Sequence, residues 1–385
     1  MESVKEELSA IGFIESKKLD GIFPYMVVQA RSNSRKWLIP LNNRLTTVSG
    51  FALFQPLLLS ARIAKFTALV LSYLGATKFL ARRRIFLSGE CVLRNYVPAT
   101  SELVYAFFTG TAGPHRKLAV QIMDQRGHIE GFAKVSVNPR VESLLRHEAA
   151  MLEVVGCLKL QNANTPSLLY AGPCNGATLL VTDTLKTLFT RSVTNFTKEH
   201  KIFLEEFELK TRQPPQAVGA FANVFEGRLS MLLPRLAEVW QRRIKKALSF
   251  LVNNGDALVP CCMNHGDFTP WNTFLAKGKL YVFDWEYAEI CAPQSNDLIH
   301  FLLSQSQLRK KTPSEKLAYI RSVLYSSIEL TKTTVDSAII VYLIGQVLRQ
   351  LERTPQQIAT IIQWDGMADQ AALLDLLTAA KVEYL

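Results

Sequence analysis

Three side chains between residues 267 and 284 have the types and spacing for chemistry: Asp267, Asn272 and Asp284. The first two sit in His265-Gly266-Asp267-Phe268-Thr269-Pro270-Trp271-Asn272, which reads as a tight polar loop. The third closes Tyr281-Val282-Phe283-Asp284-Trp285-Glu286, a short strand running into a second acidic loop. A carboxylate, an amide oxygen five residues on and a second carboxylate at a strand end suit Mg-assisted phosphoryl transfer. One acid orients a hydroxyl nucleophile, while the other acid and the amide hold the ion that neutralises phosphate charge. His-Gly-Asp alone is an ordinary turn sequence. The full set at this spacing is far more specific.

Residues upstream supply elements that could position such a site. Period-two patterning over 103–108 and 117–122 predicts two strands, joined by Thr109-Gly110-Thr111-Ala112-Gly113-Pro114-His115-Arg116 as a hairpin with glycines at its tip. A third strand over 131–137 carries one lysine, Lys134, among apolar neighbours. A helix over about 141–155 follows, with His147 and Glu148 in its middle. Further strands are expected over 168–172 and 177–182. Beyond Asp183 the pattern turns helical, over 197–209, 217–250 (with room for a break), 297–305, 313–330, 334–352 and 355–380. The clear β signal in that half is the short hairpin around Asp267 to Asp284. His300, on an apolar helix, reads as a satisfied core residue. The whole is an α+β chain: a small mainly β lobe over 96–185, a large mainly α lobe over 186–385, and an N-terminal extension over 1–95.

Charge is unevenly spread. The net charge is +11, and the first hundred residues hold 14 Lys and Arg against 6 Asp and Glu. No acid falls between Asp20 and Glu90, whereas Arg31, Lys36, Arg44, Arg62, Lys65 and Arg82-Arg83-Arg84 lie there. An anionic partner for residues 21–89, such as a membrane surface, competes with a plain solvated basic face. Residues 51–80 are strongly apolar, but Arg62, Lys65 and Lys78 leave no uninterrupted span of the roughly 20 residues that a membrane crossing needs. On a helix, Arg62, Lys65 and Ser72 share one face, and Ile63, Phe66, Val70 and Tyr73 or Leu74 the other. That suits a helix packed on its own protein, the commoner case, or an interfacial amphipathic helix. Six cysteines without a Cys-x-x-Cys pattern and six scattered histidines argue for reduced thiols and against zinc. Met1-Glu2-Ser3-Val4-Lys5-Glu6-Glu7 has no apolar export signal, so the expected placement is cytoplasmic, with attachment to the inner membrane face left open. Charged residues at 20% exclude wholesale disorder, and the basic run lacks the interleaved aromatics of a nucleic-acid site.

His265-Gly266-Asp267-x-x-x-x-Asn272 followed by Asp284-Trp285-Glu286 resembles the aminoglycoside phosphotransferase and choline kinase-like family, which has the protein-kinase-like two-lobe fold. The resemblance runs from about residue 103 to 303. It implies Asp267 as catalytic base, Asn272 and Asp284 as Mg ligands, His265 as a structural residue of the loop and Asp297 as its brace. It further implies Lys134 on the α- and β-phosphates of ATP, Glu148 as the acid pairing with that lysine, and the Gly110–Gly113 loop over the phosphates. Leu180-Val181-Thr182-Asp183 would be the hinge, with Thr182 beside the adenine edge. Glu286 has two open roles, facing substrate or capping its turn. The loop lacks the Gly-x-Gly-x-x-Gly of protein kinases. The implied activity is ATP- and Mg-dependent transfer of the γ-phosphate to a hydroxyl of a sugar, glycan precursor or amino alcohol. A polycationic antibiotic wants an acidic pocket, which a basic chain does not favour. Two other readings stand beside it: an inactive kinase-like binding protein, and a peripheral membrane kinase acting on a lipid-linked or surface-glycan precursor.

Overall fold

The computed structural model describes residues 2–16, 23–30, 35–54, 59–76, 83–99, 101–190, 193–327, 331–353 and 365–379. In chain order its helices are α1 (Glu2–Ala10), α2 (Arg44–Gly50), α3 (Leu59–Tyr73), α4 (Pro139–Cys157), α5 (Lys198–Thr211), α6 (Val218–Leu229), α7 (Glu238–Asn253), α8 (Ser295–Ser304), α9 (Ser306–Arg309), α10 (Pro313–Ser327), α11 (Lys332–Arg353) and α12 (Asp365–Ala379). The strands are β1 (Ile14–Glu15), β2 (Phe23–Gln29), β3 (Lys36–Pro40), β4 (Arg84–Ser88), β5 (Leu103–Phe108), β6 (Leu118–Asp124), β7 (Ile129–Ser136), β8 (Ala163–Asn164), β9 (Leu168–Cys174), β10 (Ala177–Thr182), β11 (Gln213–Ala217), β12 (Leu258–Asn264), β13 (Thr273–Ala276), β14 (Lys279–Val282) and β15 (Glu289–Pro293). This is the expected α+β class. Residues 354–364, the start of the helix expected over 355–380, lie outside the described residues, as do Lys78 and Arg82 of the basic run.

The chain forms two compact units, Met1–Arg191 with Leu275–Glu286, and Ser192–Phe274 with Tyr287–Leu385. The first is built on one antiparallel sheet of nine strands in the order β1-β4-β2-β3-β5-β6-β7-β10-β9. Strands of the extension therefore continue the sheet that carries Lys134. Side chains alternate across it. One face reads Leu38, Phe107, Val120, Ala133 and Val181 across successive strands, all buried, and α1 closes over it with Leu8 and Ile11. The other face reads Val28, Trp37, Phe108, Ala119, Lys134 and Leu180. Helix α4 covers its far end through Val141, Leu145 and Ala149 on Leu180, and α3 packs Ala68 and Leu69 against Trp37 and Phe51. That contact makes α3 a helix packed on its own protein, though not through its apolar stripe. The side carrying Lys65 and Ser72 is the inward one, with Lys65 donating to the Phe54 carbonyl at 2.6 Å and Ser72 1% exposed.

Helix α1 brings one buried acid with it. Glu7 is 0% exposed and lies 2.8 Å from the Arg116 guanidinium, yet burial pushes its carboxyl up to about 7. A folded-state value above the ordinary 4.5 means that the folded chain holds the proton more tightly. The group's stabilising contribution is then full below about 4.5 and is lost as the pH rises through 7. Glu7→Gln should flatten the fall in stability between pH 5 and pH 8, by up to about 3 kcal/mol relative to the native chain. Chemical denaturation at the two pH values reads that difference directly.

The second unit is mainly helical. Its core joins α6, α7, α8, α10, α11 and α12 through residues such as Phe225, Trp240, Leu302, Leu324, Ile340 and Leu373. The helical stretch expected over 217–250 is broken between α6 and α7. Contrary to the expectation of one β hairpin in this half, a three-stranded sheet β11-β12-β15 is also present. Strand β11 was hidden because Pro214 and Pro215 fall within it; as an edge strand it tolerates them.

Candidate active site

In the first unit three elements converge on Lys134. Strand β7 presents its ammonium on the face toward α4. Asn138 caps α4 by accepting from the Arg140 N–H, and Pro139 starts the helix, which places Glu148 two and a half turns in. Both Glu148 oxygens lie 2.6 Å from Lys134 Nζ. Glu142, nearer the start of the same helix, pairs with Arg146 on the surface. Asp284 also accepts from Lys134. It follows β14 in a left-handed conformation, φ 73°, which an aspartate tolerates better than most side chains. Trp285, fully buried and donating to the Val282 carbonyl at 3.2 Å, fixes that turn. Next to it Glu286 takes an ion pair from Lys117 at the start of β6.

Glu148, Asp284 and Glu286 each bring an oxygen within 4.8 Å of the others. Hard carboxylate oxygens grouped this way fit Mg²⁺. Burial alone would lower the Lys134 pKa, but the charges of Asp284 and Glu148 outweigh it and raise it, so the ammonium stays charged. In the β5–β6 loop, Gly110 has φ 77°, and a Cβ there would lie 2.4 Å from the Lys117 carbonyl oxygen, so the turn requires glycine. Gly113 lies in the same loop. Thr182 ends β10 opposite Phe132.

The second unit holds the rest of the set. Strand β12 delivers the chain into the loop at His265. Gly266 has φ 78°, and a Cβ would come 1.9 Å from the Tyr287 carbonyl oxygen, so no other residue fits. Asp297, on the first turn of α8 and 2% exposed, accepts from the His265 N–H at 2.6 Å and the Gly266 N–H at 3.0 Å. Burial raises its pKa, against the lowering effect of His265 and these amides. Buried His265 accepts from the Asp267 N–H at 3.3 Å. Asn272 turns its amide nitrogen to Asp267, 2.8 Å from Oδ2 and 3.0 Å from the carbonyl, which leaves the amide oxygen as the end that can ligate a cation.

Two residues that sequence reasoning missed complete this loop. His300 is no core filler. Its Nε2 lies 3.0 Å from Asp267 Oδ1 and its Nδ1 2.8 Å from the Tyr342 hydroxyl. A carboxylate only accepts, so Nε2–H donates; in the neutral imidazole Nδ1 then accepts from the Tyr342 hydroxyl. The available signal was its spacing, one helical turn after Asp297 and on the same side of α8. Arg349, on α11, donates to the Gly266 carbonyl and lies 3.3 Å from Glu289; nothing in the local sequence marks it. On the reading that Asp267 is a catalytic base, His300→Ala should lower kcat by about 10- to 100-fold and leave the nucleotide KM within about twofold, because its contact is with Asp267. Steady-state kinetics beside His300→Gln, which keeps a donor, checks this.

No protein-family model and no curated protein matches the chain. Solved structures match at the level of the fold. A thermostable mutant of aminoglycoside phosphotransferase APH(4)-Ia, in a ternary complex with ADP and hygromycin B, aligns with a TM-score of 0.50 at 11% identity, over 75% of this chain and 97% of that one. The chain shares the fold of that structure. A gentamicin complex of APH(2")-IIa aligns with a TM-score of 0.46 at 15% identity, over 73% and 95% of the two chains.

Proposed function

We propose that this chain is an ATP- and Mg-dependent phosphotransferase that moves the γ-phosphate to a hydroxyl of a small molecule: a sugar, a glycan precursor or an amino alcohol. The observation that carries this reading is Lys134 held between Glu148 and Asp284, in a chain that also orients Asp267 through both of its carboxylate oxygens. Lys134 would neutralise the α- and β-phosphates, with Glu148 setting its direction. The Gly110–Gly113 loop would cover the phosphates with backbone N–H groups. The backbone at Thr182 would meet the adenine edge. Asp284 and Asn272 would hold Mg²⁺, which when bound offsets phosphate charge.

Asp267 would accept a hydrogen bond from the acceptor hydroxyl and aim a lone pair at the γ-phosphorus. The acceptor O–P bond forms, the bond to the bridging oxygen of ADP breaks, and the hydroxyl proton passes to Asp267. An inactive binding protein is disfavoured, because Asp267, Asn272, Asp284 and the paired Lys134 supply the side-chain types that such transfer needs.

The test is ADP release and mass spectrometry with ATP, Mg²⁺ and a panel of sugars, amino alcohols and aminoglycosides. At least one acceptor should gain a phosphate with the native chain and not with Asp267→Ala. If no acceptor raises ADP release above hydrolysis and a fluorescent ATP analogue does not bind, the reading is wrong.

A further inference from the structure

Helix α3 turns an apolar stripe to solvent. Ile63, Phe66, Val70, Tyr73 and Leu74 are 42–68% exposed. Their spacing of three, four, three and one places them on one helical face, opposite the side that packs on Trp37 and Phe51. Single exposed apolar side chains are ordinary on a protein surface, whereas five large ones in a row mark an interaction face.

The charge around the stripe says what covers it. Residues 21–89 contain no aspartate or glutamate. The Arg44 guanidinium packs against Gly75 just past the C-terminal end of α3, where an added Cβ would lie 2.9 Å from its Nε. Arg62 is exposed on the N-terminal half of the helix, and Arg84, paired in register with Met26 on the α3 side of the sheet, is exposed at the start of β4. A second copy of the chain would set these cations against its own. An anionic phospholipid surface offers both complements, acyl chains for the stripe and headgroups for the arginines.

We propose that α3 docks this chain on anionic phospholipid membranes, lying along the surface with its Ile63–Leu74 stripe in the headgroup and upper acyl region. Docking is from one side: among the described residues no helix is long and apolar enough to cross a membrane. The proposal stands apart from the phosphotransferase reading, because its measurement does not involve turnover.

Co-sedimentation with vesicles tests it. The native chain should pellet with phosphatidylcholine vesicles holding about one-third phosphatidylglycerol at about 50 mM salt, and about tenfold less with phosphatidylcholine alone or at about 500 mM salt. The pair Phe66→Ser and Tyr73→Ser replaces side chains that are both 68% exposed, so it should leave the melting temperature unchanged while lowering vesicle binding about tenfold. Three results would each overturn the proposal: a native chain that stays in solution with anionic vesicles at low salt; a double variant that pellets as well as the native chain; and light scattering that finds a native dimer which the double variant separates, since a second copy would then cover the stripe.

Discussion

Asp267→Asn should lower kcat about 10³-fold, roughly 4 kcal/mol of transition-state stabilisation, with substrate KM changed by less than about threefold. The substitution suits the test because the loop can accept it. An asparagine keeps an oxygen to receive the Asn272 amide, which sits 2.8 Å from the present carboxylate. Its amide nitrogen would face His300, now 3.0 Å away. The imidazole can switch tautomer, accept at Nε2, and donate from Nδ1 to Tyr342, 2.8 Å from it. The backbone bonds of His265 and Gly266 to Asp297 do not involve the substituted atoms. What disappears is the negative charge and the capacity to take a proton. A melting temperature close to the native one, with kcat down by about three orders, is the expected pair of results. Unchanged turnover would show that Asp267 is not the base.

The loop could be read from sequence because its chemistry is local: Asn272 stands five positions after Asp267, and a strand pattern precedes Asp284. Strands β5, β6, β7 and β10 showed by alternation. Their union with the extension did not, because Trp37 meets Phe108, 71 positions further along the chain, and a sheet register leaves no mark in either strand alone. Helix α3 was harder. Periodicity separates two faces of a helix without saying which one the protein covers. Here a buried hydroxyl and a lysine bonded to a carbonyl lie inward, and five large apolar groups outward. His300 misled for the opposite reason. Its neighbours on α8 are apolar and buried, while its imidazole reaches a carboxylate 33 positions back, a partner that only folding supplies.

Lys134→Met should have the other large effect, a fall of about 10²- to 10³-fold in kcat/KM for nucleotide, carried mostly by KM. Methionine matches the stem of the lysine, so packing on β7 is kept and only the ammonium is lost. Removing one partner of a fully buried ion pair costs about 3–5 kcal/mol. Lys134 and Asp284 have side chains 20% and 27% exposed, so water offsets part of that cost, and about 1–2 kcal/mol of lost stability is expected. Glu148, 4% exposed, is the carboxylate left worst off. Without the shared cation, Glu148 and Asp284 repel each other, and calorimetry measures the resulting loss. Lys134→Arg restores the charge and should recover most of that stability. It should recover little of the nucleotide affinity, because a planar guanidinium cannot place a compact charge where a primary ammonium does. Affinity restored along with stability would mean that any cation at this position suffices, and that the direction set by Glu148 has no part in binding nucleotide.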